Sequence, residues 1–226
     1  MMRLRVFLIT LALASTTLAC QSVNSIIEGS QAESPVVSQD LTGRLLFQDD
    51  FSDPKSGWDQ LQNDDGITDY QDGQYRILVN TTNTDVWANP AGLNFTDTTI
   101  DVDATKVAGD DNNDFGVVCR YKDGENFYFF VISSDGYYGI GKIKDGQQVL
   151  VGMESMPPTD VVKQGNATNH IQADCNGSTL RLTVNGQLLA ETTDTDLTSG
   201  NAGLLAGSFE HPGTDILFDN FVVREP

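Results

Sequence analysis

Cations are scarce in this chain. Thirteen Lys and Arg stand against 32 Asp and Glu, a formal charge of −19, with only two histidines. That balance excludes nucleic-acid binding, because phosphate contacts need clustered cations to displace counterions. Catalytic signatures are scarce too. There is no Gly-x-Ser-x-Gly elbow, phosphate loop, dinucleotide fingerprint or His-Glu-x-x-His zinc helix. Beyond residue 43 the glutamates Glu125, Glu154, Glu191, Glu210 and Glu225 stand singly. The alternating Glu-x-Asp-x-x-Glu strand that aims carboxylates into a glycanase groove is therefore missing. Two Asp-x-Asp pairs, Asp101/Asp103 and Asp194/Asp196, share strand faces but lie in Thr- and Asp-rich stretches, which read as solvated surface. His170 precedes a strand and His211 lies in a Glu-His-Pro-Gly turn, so both read as surface residues. No window sustains a helical period beyond two turns.

What is present begins with an address. Arg3 and Arg5 precede an uncharged run from Val6 to Ala19, the length of a signal-peptide core and too short to span a bilayer. It ends Thr17-Leu18-Ala19-Cys20, which resembles a bacterial lipobox, with Leu18 where a smaller residue is usual. The expectation is a leader at 1–19 and an acylated Cys20. An ordinary leader cut after Ala19, leaving a free thiol, is the alternative. Losing residues 1–19 removes two cations and no anions, so anchoring would come from lipid and not from a basic patch. Residues 20–43 lack periodicity and are rich in Ser and Gln, the composition of a flexible tether.

Residues 44–226 read as one all-β domain. Apolar runs recur at Leu45–Gln48, Gln74–Asn80, Thr98–Thr105, Phe115–Lys122, Asn126–Ser133, Tyr137–Lys144, Asn169–Cys175, Thr179–Asn185 and Ile216–Val223. Between them lie Asp72-Gly73, Asp123-Gly124, Asp135-Gly136, Asp145-Gly146, Asn176-Gly177 and Asn185-Gly186. Such dipeptides supply the positive φ of tight hairpins. Leu180, Leu182 and Val184 alternate with polar residues, as do Ile100, Val102 and Ala104, marking half-buried strands. The run 126–132, NFYFFVI, is apolar on both faces and belongs in a sheet centre. Apolar strands at both ends of the domain, LLFQDDF and ILFDNFVV, predict that the termini pair in one sheet. The sum is a two-sheet antiparallel jelly-roll sandwich of ten to fourteen strands.

The segments LFQDDFSDPKSGW (46–58), YQDGQYRI (70–77), the long central stretch 115–146, LTVNGQLLAE (182–191) and FDNFVV (218–223) resemble the concanavalin A-like lectin/glucanase superfamily. Within it they are similar to laminin-G-like and 3-keto-disaccharide-hydrolase-like (DUF1080-type) surface domains. The resemblance implies a jelly roll and leaves function open, since that fold carries lectins, glycanases and spacers. It also implies a structural calcium ion where the terminal strands meet, at Asp50 and Asp219. The acidic loop GDDNND (109–114) is a second place for such an ion.

With Cys20 acylated, Cys119 and Cys175 remain, both in strands of an exported protein, and a disulfide is expected. Two buried free thiols are the alternative. Glycan recognition needs aromatic faces and fixed polar groups. The candidates are Trp87, in the polar stretch Asp-Val-Trp-Ala-Asn, Arg120, Tyr128, and the Tyr137-Tyr138 pair at a turn. Trp58 reads as core. The expectation is a monomeric, lipid-anchored, outward-facing cell-envelope protein that binds glycan or envelope polysaccharide without catalysis. A structural or protein-binding envelope module and a weak glycoside hydrolase are the alternatives.

Overall fold

The computed structural model describes residues 43–226, so the leader, Cys20 and most of the tether lie outside the described residues. Every regular element described is a strand. In chain order these are β1 (Leu45–Asp49), β2 (Leu61–Gln62), β3 (Gly66–Gln71), β4 (Gln74–Val79), β5 (Thr84–Ala88), β6 (Thr98–Ala108), β7 (Asn113–Asp123) and β8 (Asn126–Ile132). They continue with β9 (Tyr138–Lys144), β10 (Gln147–Leu150), β11 (Thr168–Asn176), β12 (Thr179–Val184), β13 (Gln187–Thr193), β14 (Asn201–Ser208) and β15 (Thr214–Arg224).

Two antiparallel sheets result. The larger runs β13-β12-β11-β6-β15-β4-β3-β2, with β1 also on β15, and the smaller runs β10-β9-β8-β7-β14-β5. The terminal strands pair as expected, Phe47 opposite Val223 and Asp49 opposite Phe221. All six Asp-Gly and Asn-Gly dipeptides fall between consecutive paired strands. At Asp72-Gly73, Asp145-Gly146 and Asn185-Gly186 both residues have positive φ, the geometry a two-residue hairpin selects.

The core fills the space between the sheets. Ile100, Val102 and Ala104 of β6 and Leu180, Leu182 and Val184 of β12 all point inward and are fully buried. Trp58 belongs to this core, its ring centroid 4.9 Å from Phe221, 5.1 Å from Tyr75 and 5.2 Å from Phe51. Its indole N–H donates to Asp49 Oδ2 at 3.0 Å, which satisfies the polar end of a buried ring. A Cys119–Cys175 disulfide staples β7 of the small sheet to β11 of the large one. A closed loop of that length stabilises by about 4 kcal/mol in the chain-entropy model.

β8 is apolar on both faces for a visible reason. Tyr128, Phe130 and Ile132 enter the main core, while Phe127, Phe129 and Val131 join Val118 and Leu205 in a second cluster on the outer face of the small sheet. Leu150 and Met156 pack over that cluster.

Candidate functional site

The two outer faces differ in chemistry, and the small sheet carries the candidate site. On β5, Asp85 and Trp87 alternate and share the outer face, with Leu205 opposite Trp87 and Gly207 opposite Asp85. On the other side of Gly207 stands Asp114 of β7. Two carboxylates thus converge over one glycine. A β-carbon at 207 would lie 2.0 Å from Asp114 Oδ1 and 2.2 Å from Asp85 Oδ1, so any side chain there would displace both.

Asp114 is buried and its Oδ1 has no hydrogen-bond partner. Burial first, and then the Asp85 charge, pushes its carboxyl well above the usual range. Burial likewise pushes Asp85 up to about 6, opposed by a hydrogen bond from the Gln148 side chain. Gln148 lies on β10 and Asp85 on β5, at opposite edges of the sheet. Their contact means that the sheet curls over this face.

Trp87 is half-buried. Its N–H donates to the Tyr121 hydroxyl at 3.2 Å, and its ring centroid is 5.4 Å from Phe127. Trp87 and Asp85 line an open groove of about 390 Å³ with Asp59, Gln60, Leu61, Asn63 and Asp65. None of these residues is cationic. At another end of the small sheet Tyr137, 39% exposed, lines a second groove of about 410 Å³ with Asn112, Ser133, Asp135, Met156 and Phe209. Tyr138, its neighbour, is half-buried against the main core.

Arg120 and Tyr128 correct the expectation of a ligand-facing role. Arg120 is buried at a β-bulge with φ of 51° and spends its donors inside the protein. Nε donates to Thr96 O at 3.1 Å, Nη1 to Leu197 O at 2.8 Å, and Nη2 to Asp97 at 3.1 Å. Tyr128 is wholly buried. Its hydroxyl donates to Asp194 Oδ1 at 2.6 Å and accepts from Leu197 N at 3.1 Å. Burial and the Asp194 hydrogen bond push it up to about 12. Cys119 neighbours Arg120 and pairs with Tyr128 across the strands, so both side chains belong to the disulfide's packing and not to an open face.

Within the Asp-x-Asp pairs, Asp101 and Asp194 are not the solvated surface their composition suggests, whereas Asp196 is exposed. Asp101 is buried, accepting from Gln172 Nε2 at 3.1 Å and pairing with Arg224. His170 bridges Asp101 and Asp103, at 3.4 Å and 2.8 Å, and these hydrogen bonds raise its pKa to about 9. His170 is thus part of a polar network on the large sheet. Asp194 and Asp196 both engage Lys142.

Asp50 and Asp219 lie close enough for the Asp50 charge to help raise Asp219, whose largest shift comes from burial. Asp50 itself accepts from Ser52 N at 3.1 Å and Ser52 Oγ at 2.6 Å. In the acidic loop, Asp111 pairs with Lys106 and Asn113 bonds Ser134 N and Oγ. Among the described residues, no three His, Cys, Asp or Glu side chains gather as a metal-ligand set.

No protein-family model matches the chain. No curated protein matches it by sequence. Solved structures do. A carbohydrate-binding module, CBM66 from Bacillus subtilis, superposes with a TM-score of 0.60 at 17% identity, over 75% of this chain and 96% of that one. A Bacillus licheniformis beta-glucanase superposes with a TM-score of 0.58 at 13% identity, over 82% and 99%. A Bacillus subtilis protein of unknown function with a galectin-like fold gives 0.58 at 11% identity, over 81% and 96%. The fold is that of the concanavalin A-like lectins and glucanases. At these identities the likeness concerns the concanavalin A-like architecture alone.

Asp85 and Asp114 escape a reading of the sequence. Asp85 carries a signal in its alternation with Trp87, once residues 84–88 are taken as a strand. Asp114 carries none, because it ends an acidic run whose other members turn elsewhere.

Proposed function

We propose that the protein binds glycan at the groove where Trp87 lies, between the β5 edge of the small sheet and the β2 edge of the large one, and does so as an outward-facing lipoprotein anchored through Cys20. The observation that carries this reading is the half-buried Trp87 indole set among Asp59, Asn63, Asp65 and Asp85 in one open groove. An aromatic face stacks on a sugar ring while fixed oxygens take its hydroxyls. The carbohydrate-binding module and the beta-glucanase among the structural neighbours support glycan as the ligand class. Titration calorimetry against a panel of soluble polysaccharides, with calcium present, tests the proposal. It expects heat for at least one polysaccharide, lost in Trp87→Ala. Silence across the panel defeats it.

The Asp85–Asp114 pair beside the groove favours a second reading, a glycoside-processing hydrolase. That reading expects turnover of a bound polysaccharide, abolished in Asp85→Asn while binding persists.

A further inference from the structure

We propose that Asp85 and Asp114 hold a divalent cation of the calcium type, bridged between Asp85 Oδ1 and Asp114 Oδ1 above Gly207. The proposal does not rest on the glycan reading. Its first support is geometric. The two oxygens are separated by no more than the sum of 2.0 Å and 2.2 Å, their distances from the missing β-carbon. Two oxygen ligands about 2.3–2.6 Å from one calcium ion span that gap.

The second support is the unpartnered Asp114 Oδ1, on a side chain only 3% exposed. A buried carboxylate oxygen without a donor loses its hydration for nothing in return. Two buried acids of the large sheet, Asp101 and Asp215, show one remedy. Asp101 has Arg224 and His170, and Asp215 has Arg76. Among the described residues, no cation pairs with Asp85 or Asp114, and the charge that bears on Asp114 is that of Asp85. A bound cation would supply what the side chains do not.

Access and further ligands are at hand. Asp85 opens into the groove that Asp59 and Asp65 also line, a negative approach that concentrates cations. The Gln148 amide N–H already serves Asp85, so water fills the remaining ligand positions. With two carboxylates the affinity belongs near the weak end of protein calcium sites, a Kd of about 10⁻⁴–10⁻³ M. The site is separate from Asp50 and Asp219 and from the loop side chains at 110–113.

Trp87 makes the test direct, because it sits on the same strand face as Asp85, two residues and about 7 Å along. The full chain is stripped with EDTA and titrated with terbium(III) under indole excitation, then with calcium in competition. The expected result is saturable terbium emission that calcium displaces. Asp85→Asn and Asp114→Asn each weaken it by about tenfold or more. Trp87→Phe dims the emission without changing calcium affinity by calorimetry, and the double variant Asp50→Asn/Asp219→Asn leaves both unchanged. Thermal melts in EDTA guard against misfolding: Asp114→Asn should melt no lower than the parent, since it relieves a repulsion. Absence of saturable emission, or emission that survives Asp114→Asn, overturns the proposal. So does loss of emission in the Asp50/Asp219 variant. Melting that responds to pH but not to millimolar calcium also overturns it, in favour of a shared proton.

Discussion

The two sheets turn different chemistry to the outside. On the large sheet several outward charges are matched, although Asp219 stands near Asp50 and Asp103 with no cation beside it among the described residues. Arg76 grips Asp215 with two hydrogen bonds at 2.8 Å and 2.7 Å, Arg224 pairs with Asp101, and His170 spans Asp101 and Asp103. On the small sheet the outward residues are Phe127, Phe129, Val131 and Leu205, buried beneath Leu150 and Met156, with the half-buried Trp87 beside them, and two carboxylates meet without a cation among the described residues. A matched polar network has completed its bonding within the fold. The half-buried Trp87 beside an unmatched acid pair has not, and that is where a ligand adds most. The contrast teaches that a strongly perturbed pKa points to function where its cause lies unanswered, as it does for Asp85 and Asp114 and, to a lesser extent, for Asp219 on the large sheet.

The largest expected effect breaks the matched face. Asp101→Ala leaves Arg224 buried without its carboxylate and should cost about 3 kcal/mol or more in a denaturant melt. Ligand binding on the small sheet should be untouched.

Next comes the pH response of that network. The folded pKa of His170 is raised, so its contribution is fully present below about 6.5 and is lost as pH rises through about 9. Asp103 is lowered, chiefly by the same His170 bond, so its share is lost as pH falls through the acidic range. A His170→Gln variant should lose about 1–2 kcal/mol at neutral pH, since the ring is partly solvated. It should also flatten the alkaline limb of the stability profile.

A smaller effect of opposite sign belongs to the unmatched face. Asp85 is raised to about 6, so in EDTA the pair destabilises the fold increasingly as pH rises through that value. Asp114→Asn should stabilise by about 1 kcal/mol at neutral pH in EDTA, read by thermal melting. Trp87→Ala should cost about 1–2 kcal/mol of stability for a half-buried ring, and it carries the largest loss of binding.

The sandwich was legible because its signals are local. Hairpin dipeptides, alternation in β6 and β12, and apolar runs at both ends fix strands and closure without long-range knowledge. β14 was not legible, for its sequence NAGLLAGS has weak strand formers. The structure explains them, because Gly207 leaves room for two aspartates. The candidate site was legible in part. Trp87 stands out by its polar setting. Arg120 misleads: a mid-strand cation in a cation-poor chain suggests a ligand grip, yet its donors are spent on Asp97 and on carbonyls including Cys175 O. Asp114 hides in GDDNND because residues 110–112 stay in the loop while β7 begins at Asn113, and register alone turns Asp114 outward.

One measurement tests the central claim most directly: a glycan array probed with the parent protein, with Trp87→Ala on the small sheet, and with Arg181→Ala on the large sheet. Arg181 pairs with Glu191 at an exposed site, so its loss barely affects folding. The account predicts a defined set of bound glycans for the parent, the same set for Arg181→Ala, and none for Trp87→Ala. Binding that survives Trp87→Ala and disappears with Arg181→Ala would place recognition on the matched face and contradict it.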